Sequence, residues 1–151
     1  MISVFDDRYF MRKALFQAQI AMESDEVPVG AIVVSHNQVI AQCHNLTERL
    51  TDATAHAEIQ AITAASNFLS NKYLTDCTMY ITLEPCPMCA GALKWSQISR
   101  IVYGAPDEKS GFMRFGKKLL HPKTKVEFGL MNEECSALMK EFFSLKRKLK
   151  I

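Results

Sequence analysis

Apolar and polar residues alternate along this chain with two different periods, which predicts helices and strands in alternation. Residues 6–22 place most of their apolar side chains on one side of a helix. Residues 29–34 are β-branched and apolar, as in a buried strand. The polar residues 36–38 separate this strand from a second apolar run at residues 39–43, so the two strands should form a hairpin.

The same alternation continues to the end of the chain. It predicts helices at residues 55–69, 87–95 and 133–148, and strands at residues 78–83, 100–104 and 125–128. Thr54 is the expected N-cap of the first of these helices, and Pro87 occupies the permissive first position of the second. The pattern therefore predicts one α/β domain over residues 1–151, with helices covering both faces of a sheet.

The overall composition excludes several classes of protein. Hydrophobic residues make up 48% of the chain and charged residues 23%, as in ordinary globular proteins. No apolar run is long enough to span a bilayer, and the first residues lack the basic-then-apolar order of a signal peptide. There is neither a GxGxxG motif nor a P-loop for a nucleotide. We therefore expect a cytoplasmic protein without a membrane partner.

The net charge of +2 conceals an uneven distribution along the sequence. From residue 100 onward there are twelve Lys or Arg and six Asp or Glu, whereas the first 99 residues contain six and ten. A basic final third is compatible with a polyanionic partner such as a nucleic acid. On charge alone, a solvated lysine-rich face is the preferred interpretation.

Two of the five cysteines have the spacing of metal ligands. An odd number of cysteines without a secretion signal argues against a disulfide framework. Cys86 and Cys89 lie three residues apart at the predicted start of a helix, so both sulfurs can face one point. His56 adds an imidazole, and two thiolates with one imidazole suit zinc better than magnesium or calcium.

The number of ligands indicates which kind of zinc site this is. Structural sites are closed by four protein ligands, whereas catalytic sites have three and leave one position for water. The chain has no second Cys-x-x-Cys pair. Candidates for a fourth ligand are scattered singly along the sequence: Cys43, His44, Cys77, His121 and Cys135. Three ligands and a water are favoured, and half of a structural site remains the alternative.

Glu58 follows His56 by two residues and supplies a carboxylate that need not bind the metal. Zinc can lower the pKa of bound water to about 7, which creates a hydroxide nucleophile. A general acid/base must then carry protons to a ring nitrogen and to departing ammonia, and Glu58 is the candidate for that shuttle. The order His-x-Glu followed by Pro-Cys-x-x-Cys is the pattern of zinc nucleobase deaminases.

Several stretches resemble the bacterial tRNA adenosine deaminases of the cytidine deaminase-like superfamily. They are Asn45 and residues 26–31, 54–59, 80–92, 104–111 and 134–143. The zinc motif alone specifies only the superfamily, and the last two stretches are similar to the tRNA-editing branch. The resemblance implies a three-layer α/β/α fold around a five-stranded mixed sheet, one zinc ion per chain, and a homodimer with active sites near the interface.

The resemblance also implies a substrate and the residues that contact it. The reaction would be hydrolytic deamination of adenosine to inosine at the wobble position of a tRNA anticodon, most readily that of an arginine tRNA. The substrate contacts would be Asn45 and backbone near Val29 and Ala57 for the base, Asp107, Lys109 and Ser110 for the RNA backbone, and Phe142 and Phe143 for the anticodon loop. A target base in a single-stranded loop leaves its stack at low cost.

These contacts have structural alternatives. Asn45 follows a strand and could be a turn residue. Asp107 and Ser110 are common loop residues, and at least one of the adjacent Phe142 and Phe143 should lie in the core. Two other functions also stay open: a deaminase of a free cytosine- or guanine-type base, nucleoside or nucleotide, and a non-catalytic RNA-binding module with structural zinc. Intact Glu58 argues against the second of these.

Overall fold

The computed structural model describes residues 5–149, and it confirms the predicted alternation of helices and strands. Lys150, one of the basic residues of the final third, lies outside the described residues. The four helices are α1 (Asp7–Glu23), α2 (Ala57–Leu69), α3 (Pro87–Ser96) and α4 (Asn132–Leu149). The five strands are β1 (Gly30–Ser35), β2 (Gln38–His44), β3 (Cys77–Leu83), β4 (Arg100–Ala105) and β5 (Lys125–Phe128).

The five strands form one mixed sheet in the order β2-β1-β3-β4-β5. β1 pairs antiparallel with β2, as the hairpin prediction required, and also antiparallel with β3. β3, β4 and β5 run parallel, and α3 forms the crossover between β3 and β4. The predicted five-stranded mixed sheet is therefore confirmed.

Alternate residues along each strand enter two separate hydrophobic layers, because successive side chains point to opposite faces of a sheet. Val33 and Ile81 pack with alanines of α2 and with Leu93 of α3. Ile32 and Tyr80 pack on the other face with residues of α1. Helices α1 and α4 contact each other on one side of the sheet, as α2 and α3 do on the other. These contacts give the α/β/α layers that the sequence predicted.

The predicted N-cap of α2 was wrong. Thr54 donates its hydroxyl to Asp52 Oδ1 instead, at 2.8 Å, and so belongs to the preceding turn. His56 is the N-cap residue, with extended backbone at φ −69° and ψ 157°, and the helix begins at Ala57. The turn at Asp52 delays the helix by two residues, which places His56 just before the first turn rather than within it.

One end of the sheet gathers all the loops that carry predicted site residues. Residue pairing places Gly30 beside His44, Ala31 beside Ile81, and Leu83 beside Ala105. The start of β1 therefore lies next to the ends of β2, β3 and β4. Val29, Asn45, Cys86 and Asp107 follow or precede these strand ends, so the topology brings four distant parts of the chain to one place.

Two short 3₁₀ helices, Phe112–Arg114 and Lys117–Leu119, were not predicted from the sequence. They lie between β4 and β5, and the second contacts α3. Segments of three residues are too short to show a hydrophobic period, so pattern analysis offers no signal for them. Within residues 5–149, no helix is long and apolar enough to cross a membrane.

Candidate active site

His56, Cys86 and Cys89 converge at this end of the sheet. Their ligand atoms all lie within 4.8 Å of one another. Nδ1 of His56 is 3.6 Å from Sγ of Cys86 and 3.4 Å from Sγ of Cys89. With Zn–S near 2.3 Å and Zn–N near 2.0 Å, tetrahedral geometry separates nitrogen and sulfur by about 3.5 Å. The three donors therefore fit one zinc ion in spacing as well as in chemical type.

The starts of two helices present these ligands. Cys86 is the N-cap residue of α3, Pro87 is at its first turn, and Cys89 lies within that turn. His56 caps α2 in the same way. Helix N-termini carry partial positive charge and unpaired N–H groups, so both helices favour negatively charged thiolates at this point.

The pKa values of the two thiols, Cys86 and Cys89, are shifted in opposite directions. A hydrogen bond from Cys89, followed by the neighbouring His56, lowers the pKa of Cys86. The same partnership and burial raise the pKa of the Cys89 thiol. The pKa of His56 is raised in turn, chiefly by its hydrogen bond to Cys86. These shifts favour the thiolate form at Cys86.

The number of ligands in the group is three. In the part of the chain that the structure describes, the group of His56, Cys86 and Cys89 has no fourth member. It includes none of the five candidates for a fourth ligand: Cys43, His44, Cys77, His121 and Cys135. Closed structural zinc sites have four protein ligands, whereas three is the number typical of catalytic zinc. The arrangement thus favours the catalytic alternative over half of a structural site.

Glu58 lies at the start of α2, close to the ligand group but outside it. Its side chain is 4% exposed, and burial raises the pKa of its carboxyl to about 7. The charge of Cys86 acts in the same direction. A carboxyl group with a pKa near neutrality can both accept and release protons, as a general acid/base must.

A cavity of about 240 Å³ opens beside these groups. This volume lies below the roughly 300–1,000 Å³ of pockets for drug-sized ligands, so it suits one flat base better than a whole nucleotide. The cavity is lined by Val27, Val29, Asn45, Thr47, His56, Ala57, Glu58, Leu83, Glu84, Cys86, Asp107 and Ser110. The structure therefore brings the predicted residues Val29, Asn45, Ala57, Asp107 and Ser110 to the same cavity as Glu58.

A larger groove of about 850 Å³ adjoins the cavity and shares Val27, Leu83, Asp107 and Ser110 with it. Lys109 and Phe143 line this groove and not the smaller cavity, together with the basic side chains of Lys140 and Arg147 from α4. Asp107 and Glu108 line the groove as well, so its wall combines three basic and two acidic side chains with an exposed aromatic ring. Such a surface can accept a phosphate backbone and a stacked base.

Phe142 and Phe143 have different environments. Phe143 is 42% exposed, whereas Phe142 is 6% exposed and lines neither cavity. The ring of Phe142 packs against that of Phe143 and under Lys146. The core position expected for one of the pair is therefore that of Phe142, whereas Phe143 lines the groove. Contact of either ring with RNA stays a prediction.

Sequence reasoning missed two buried carboxylates that hold the walls of the cavity. Glu26 is 1% exposed and accepts hydrogen bonds from the backbone N–H of Glu48 and Arg49, at 3.0 and 2.8 Å. The Asn45 side-chain amide donates to Glu26 at 3.5 Å and to Thr47 at 3.3 Å. Glu84 accepts hydrogen bonds from the backbone N–H groups of Asp107 and Met113 beside the same cavity. The available signal was an acidic residue beside an apolar strand, at positions 26 and 84.

The chain is similar to known deaminases over most of its length, and not only at the metal site. Residues 5–147 match the family described as MafB19-like deaminase. A tRNA-specific adenosine deaminase from Aquifex aeolicus (strain VF5) is 43% identical over 144 residues, which cover 92% of this chain and 95% of that protein. The chloroplastic tRNA(adenine(34)) deaminase of Arabidopsis thaliana is 39% identical over 93% of this chain, which spans 12% of the plant protein.

Solved structures agree with the sequence matches. A structure from a study of A-to-I editing by tRNA:A34 deaminases at the wobble position of transfer RNA has a TM-score of 0.81 and 41% identity, covering 86% of this chain and 98% of that one. A guanine deaminase from Bacillus subtilis has a TM-score of 0.64 and 34% identity, covering 67% of this chain and 65% of that one. The agreement therefore extends over most of the chain for the first structure and over a smaller part for the second.

Proposed function

We propose a function from the premise that this chain belongs to the MafB19-like deaminase family and, within it, to the tRNA-specific adenosine deaminases. It hydrolyses adenosine at the wobble position of a tRNA anticodon to inosine and releases ammonia. The substrate we propose is the anticodon loop of an arginine tRNA. One observation carries the proposal: a base-sized cavity beside Glu58 opens into a larger groove lined with Lys, Arg and Phe side chains.

His56, Cys86 and Cys89 are the residues that would hold the zinc ion, since their spacing and donor types fit it. Bound zinc supplies an activated water, because it lowers the pKa of that water to about 7. The remaining chemistry belongs to the carboxylate of Glu58. It accepts a proton from the water that attacks C6 and passes it to N1 of the purine ring. It then moves the proton of the new C6 hydroxyl to the amino group, so that the C6–N bond breaks, ammonia leaves and C6 becomes the carbonyl carbon of inosine.

The walls of the cavity orient the base for this attack. Asn45 is 5% exposed, and its side-chain amide is fixed by Glu26 and Thr47. Its backbone N–H also donates to the carbonyl of Val29 at 3.1 Å, so the two wall segments are joined. We assign to Asn45 a hydrogen bond to the edge of the target base, with backbone near Val29 and Ala57 beside the ring.

The groove receives the RNA on either side of the extruded nucleotide. Asp107, Lys109 and Ser110 belong to one loop at the junction of the cavity and the groove. We assign the RNA backbone to this loop and a stacking contact to Phe143. Phosphate contacts from Lys109, Lys140 and Arg147 would make binding depend strongly on salt.

The proposed assembly is a homodimer joined through the exposed face of α3. Met88 and Trp95 are seven residues apart and therefore on one side of the helix, and they are 39% and 82% exposed. Met113 and Phe115, in and just after the first 3₁₀ helix, are 40% and 54% exposed. Large apolar side chains exposed on one face of a helix, as Met88 and Trp95 are, support a surface that binds another protein. We propose the cytoplasm as the location, because it keeps the free ligand thiols reduced.

A panel of substrates tests the proposed function against the free-base alternative. An anticodon stem-loop RNA with adenosine at the wobble position, free adenosine, cytidine and guanine are each incubated with the protein, and ammonia release is measured. We expect the highest kcat/KM for the stem-loop, because only it fills the groove. Higher kcat/KM for guanine or for a free nucleoside would overturn the assignment to tRNA.

A further inference from the structure

We propose that Glu84 is a positioning residue for RNA, whose buried carboxylate holds residues 106–113 in the conformation that receives the anticodon loop. This inference rests on the proposed function, because it concerns how the RNA reaches the cavity. The loop at 106–113 follows β4 and contains all three residues assigned to the RNA backbone. Glu84 itself directly precedes the segment that carries the metal ligands of α3.

The two carboxylate oxygens of Glu84 bind opposite ends of this loop. Oε1 accepts a hydrogen bond from the backbone N–H of Asp107 at 3.1 Å, and Oε2 accepts one from Met113 at 3.1 Å. The side chain is 6% exposed, and no salt bridge involves Glu84 among residues 5–149. A buried carboxylate is costly unless hydrogen bonds satisfy it, so these backbone donors are its principal compensation.

Backbone hydrogen bonds close the same loop onto the segment at Glu84 and Pro85. The N–H of Glu84 donates to Ala105 at 2.8 Å, and the N–H of Phe112 donates to Pro85 at 2.9 Å. Pro85 directly precedes Cys86. The loop is therefore attached to the segment that contains the metal ligands Cys86 and Cys89. The carboxylate of Glu84 joins the two ends of the loop, at Asp107 and Met113.

Asp107 transmits this constraint to the residues that face the RNA. Its Oδ1 accepts hydrogen bonds from the backbone N–H of Lys109 at 3.2 Å and of Ser110 at 3.1 Å. Glu84 fixes the backbone of Asp107, and Asp107 fixes the turn through Lys109 and Ser110. The buried carboxylate thus acts on RNA through these residues and need not touch it.

Gly111 gives independent evidence that the carboxylate of Glu84 packs closely against this loop. A Cβ atom at this position would lie 1.8 Å from Oε2 of Glu84 and 2.5 Å from the carbonyl oxygen of Asp107. Gly111 has φ −74°, which any residue can adopt. Glycine is therefore required here by the close approach of Glu84 and the loop backbone, and not by backbone conformation.

The test is the substitution Glu84→Gln, assayed with an anticodon stem-loop RNA. Glutamine keeps one acceptor and turns an amide N–H₂ toward the other backbone donor, so one of the two loop contacts is lost. We expect KM to rise roughly tenfold, the size expected for one lost buried hydrogen bond. The zinc content should stay close to that of the wild type and kcat should change less than KM, because Glu58 and the ligands belong to the starts of α2 and α3 and not to residues 106–113.

Glu108→Gln is the matched control, because it removes the same charge from the exposed part of the same loop. Loss of a negative charge beside RNA reduces repulsion, so KM should fall or stay unchanged in this variant. Glu84→Gln should change KM in the opposite direction. A fall of KM in both variants would mean that charge alone acts, and it would overturn the positioning role.

Gly111→Ala gives a second test that leaves all charges in place. Its Cβ displaces the Glu84 carboxylate, so KM should rise as in Glu84→Gln, and the double variant should be little worse than either single one. Unchanged KM in both single variants, or loss of zinc and kcat with unchanged KM, would overturn the inference alone. A wild type that deaminates no stem-loop RNA would overturn the proposed function and this inference with it.

Discussion

Glu58 and the three proposed metal ligands occupy neighbouring positions, and the tasks proposed for them can be tested separately. Glu58→Gln keeps the size and the hydrogen-bonding shape of the side chain and removes its ability to carry a proton. We expect Glu58→Gln and Glu58→Ala each to lower kcat by about 10²- to 10⁴-fold, while zinc content stays at the wild-type value. Steady-state ammonia release measures kcat, and elemental analysis measures the zinc content. Wild-type turnover in Glu58→Gln would exclude the proton-shuttle role.

Substitution of a proposed zinc ligand should lower the zinc content as well as the activity. Cys86→Ser removes the thiolate that the site stabilises best, so we expect loss of zinc together with activity. The melting temperature should fall as well, because the metal would tie the start of α2 to the start of α3. Cys43→Ser is the matched control, since Cys43 lies outside the ligand group. Equal zinc content in both variants would contradict the ligand assignment.

The sequence predicted the residues of the site where the signal is local. His56 and Glu58 are two residues apart and Cys86 and Cys89 are three apart, so each pair shares one helix start, whereas the sheet topology brings the two pairs together. Glu26 and Glu84 were missed because each accepts hydrogen bonds from backbone N–H groups more than twenty positions away. Any residue supplies a backbone N–H, so the sequence around those partners carries no mark of the contact.

At the scale of elements, the periodic segments were predictable and the joints between them were not. The structure places β5 at Lys125–Phe128, the range that the pattern predicted. The start of α2 was misplaced because Thr54 has a competing partner in Asp52. Whether Phe142 or Phe143 is buried depends on how α4 packs on the sheet. The sequence cannot distinguish them, because the two side chains are adjacent and identical.

The exposed face of α3 gives a prediction about assembly. Trp95→Asp places a charge in the proposed homodimer surface, so we expect its molar mass in solution to fall from that of a dimer to that of a monomer. Phe16→Asp is the control, because Phe16 is 63% exposed on α1, across the sheet from α3. Light scattering coupled to size-exclusion chromatography measures both. A monomeric wild type, or a dimeric Trp95→Asp variant, would contradict the proposed surface.

At the scale of the whole molecule, Arg100 joins the N-terminal helix to the edge of the sheet. Its guanidinium donates to both carboxylate oxygens of Asp7, at 3.0 and 2.7 Å, and to Glu127 at 3.0 and 2.7 Å. Tyr80 donates its hydroxyl to Asp7 at 2.7 Å. The hydrogen bond with Arg100 lowers the pKa of Asp7 below its ordinary value of 3.8.

This shift predicts how stability depends on pH. Because the folded state has the lower pKa, the contribution of Asp7 is complete above the unfolded pKa and is lost as the pH falls through the folded one. Asp7→Asn should therefore lower the free energy of unfolding at pH 7, and the difference from wild type should shrink below about pH 4. Asp7 is 38% exposed, so we expect at most about 1 kcal/mol. Urea unfolding across pH measures it.

Asp25→Asn is the control for this prediction. Asp25 pairs with Lys146 at 2.6 Å, but its side chain is 76% exposed, so solvent screens the pair. We expect no resolved change in the free energy of unfolding for this variant. A loss in Asp7→Asn that stays constant from pH 7 to pH 3 would show that Asp7 stabilises the fold through something other than its charge.

The most direct test of the proposed activity is the sequence of tRNA after incubation with the protein. Total tRNA that contains unmodified wobble adenosines is treated with wild-type protein or with Glu58→Ala, and inosine is read as guanosine after reverse transcription. We expect A-to-G change at the wobble position of an arginine tRNA with the wild type and none with Glu58→Ala. Unchanged wobble adenosines in every tRNA, with the zinc-loaded wild type, would contradict the assignment of this chain as a tRNA editor.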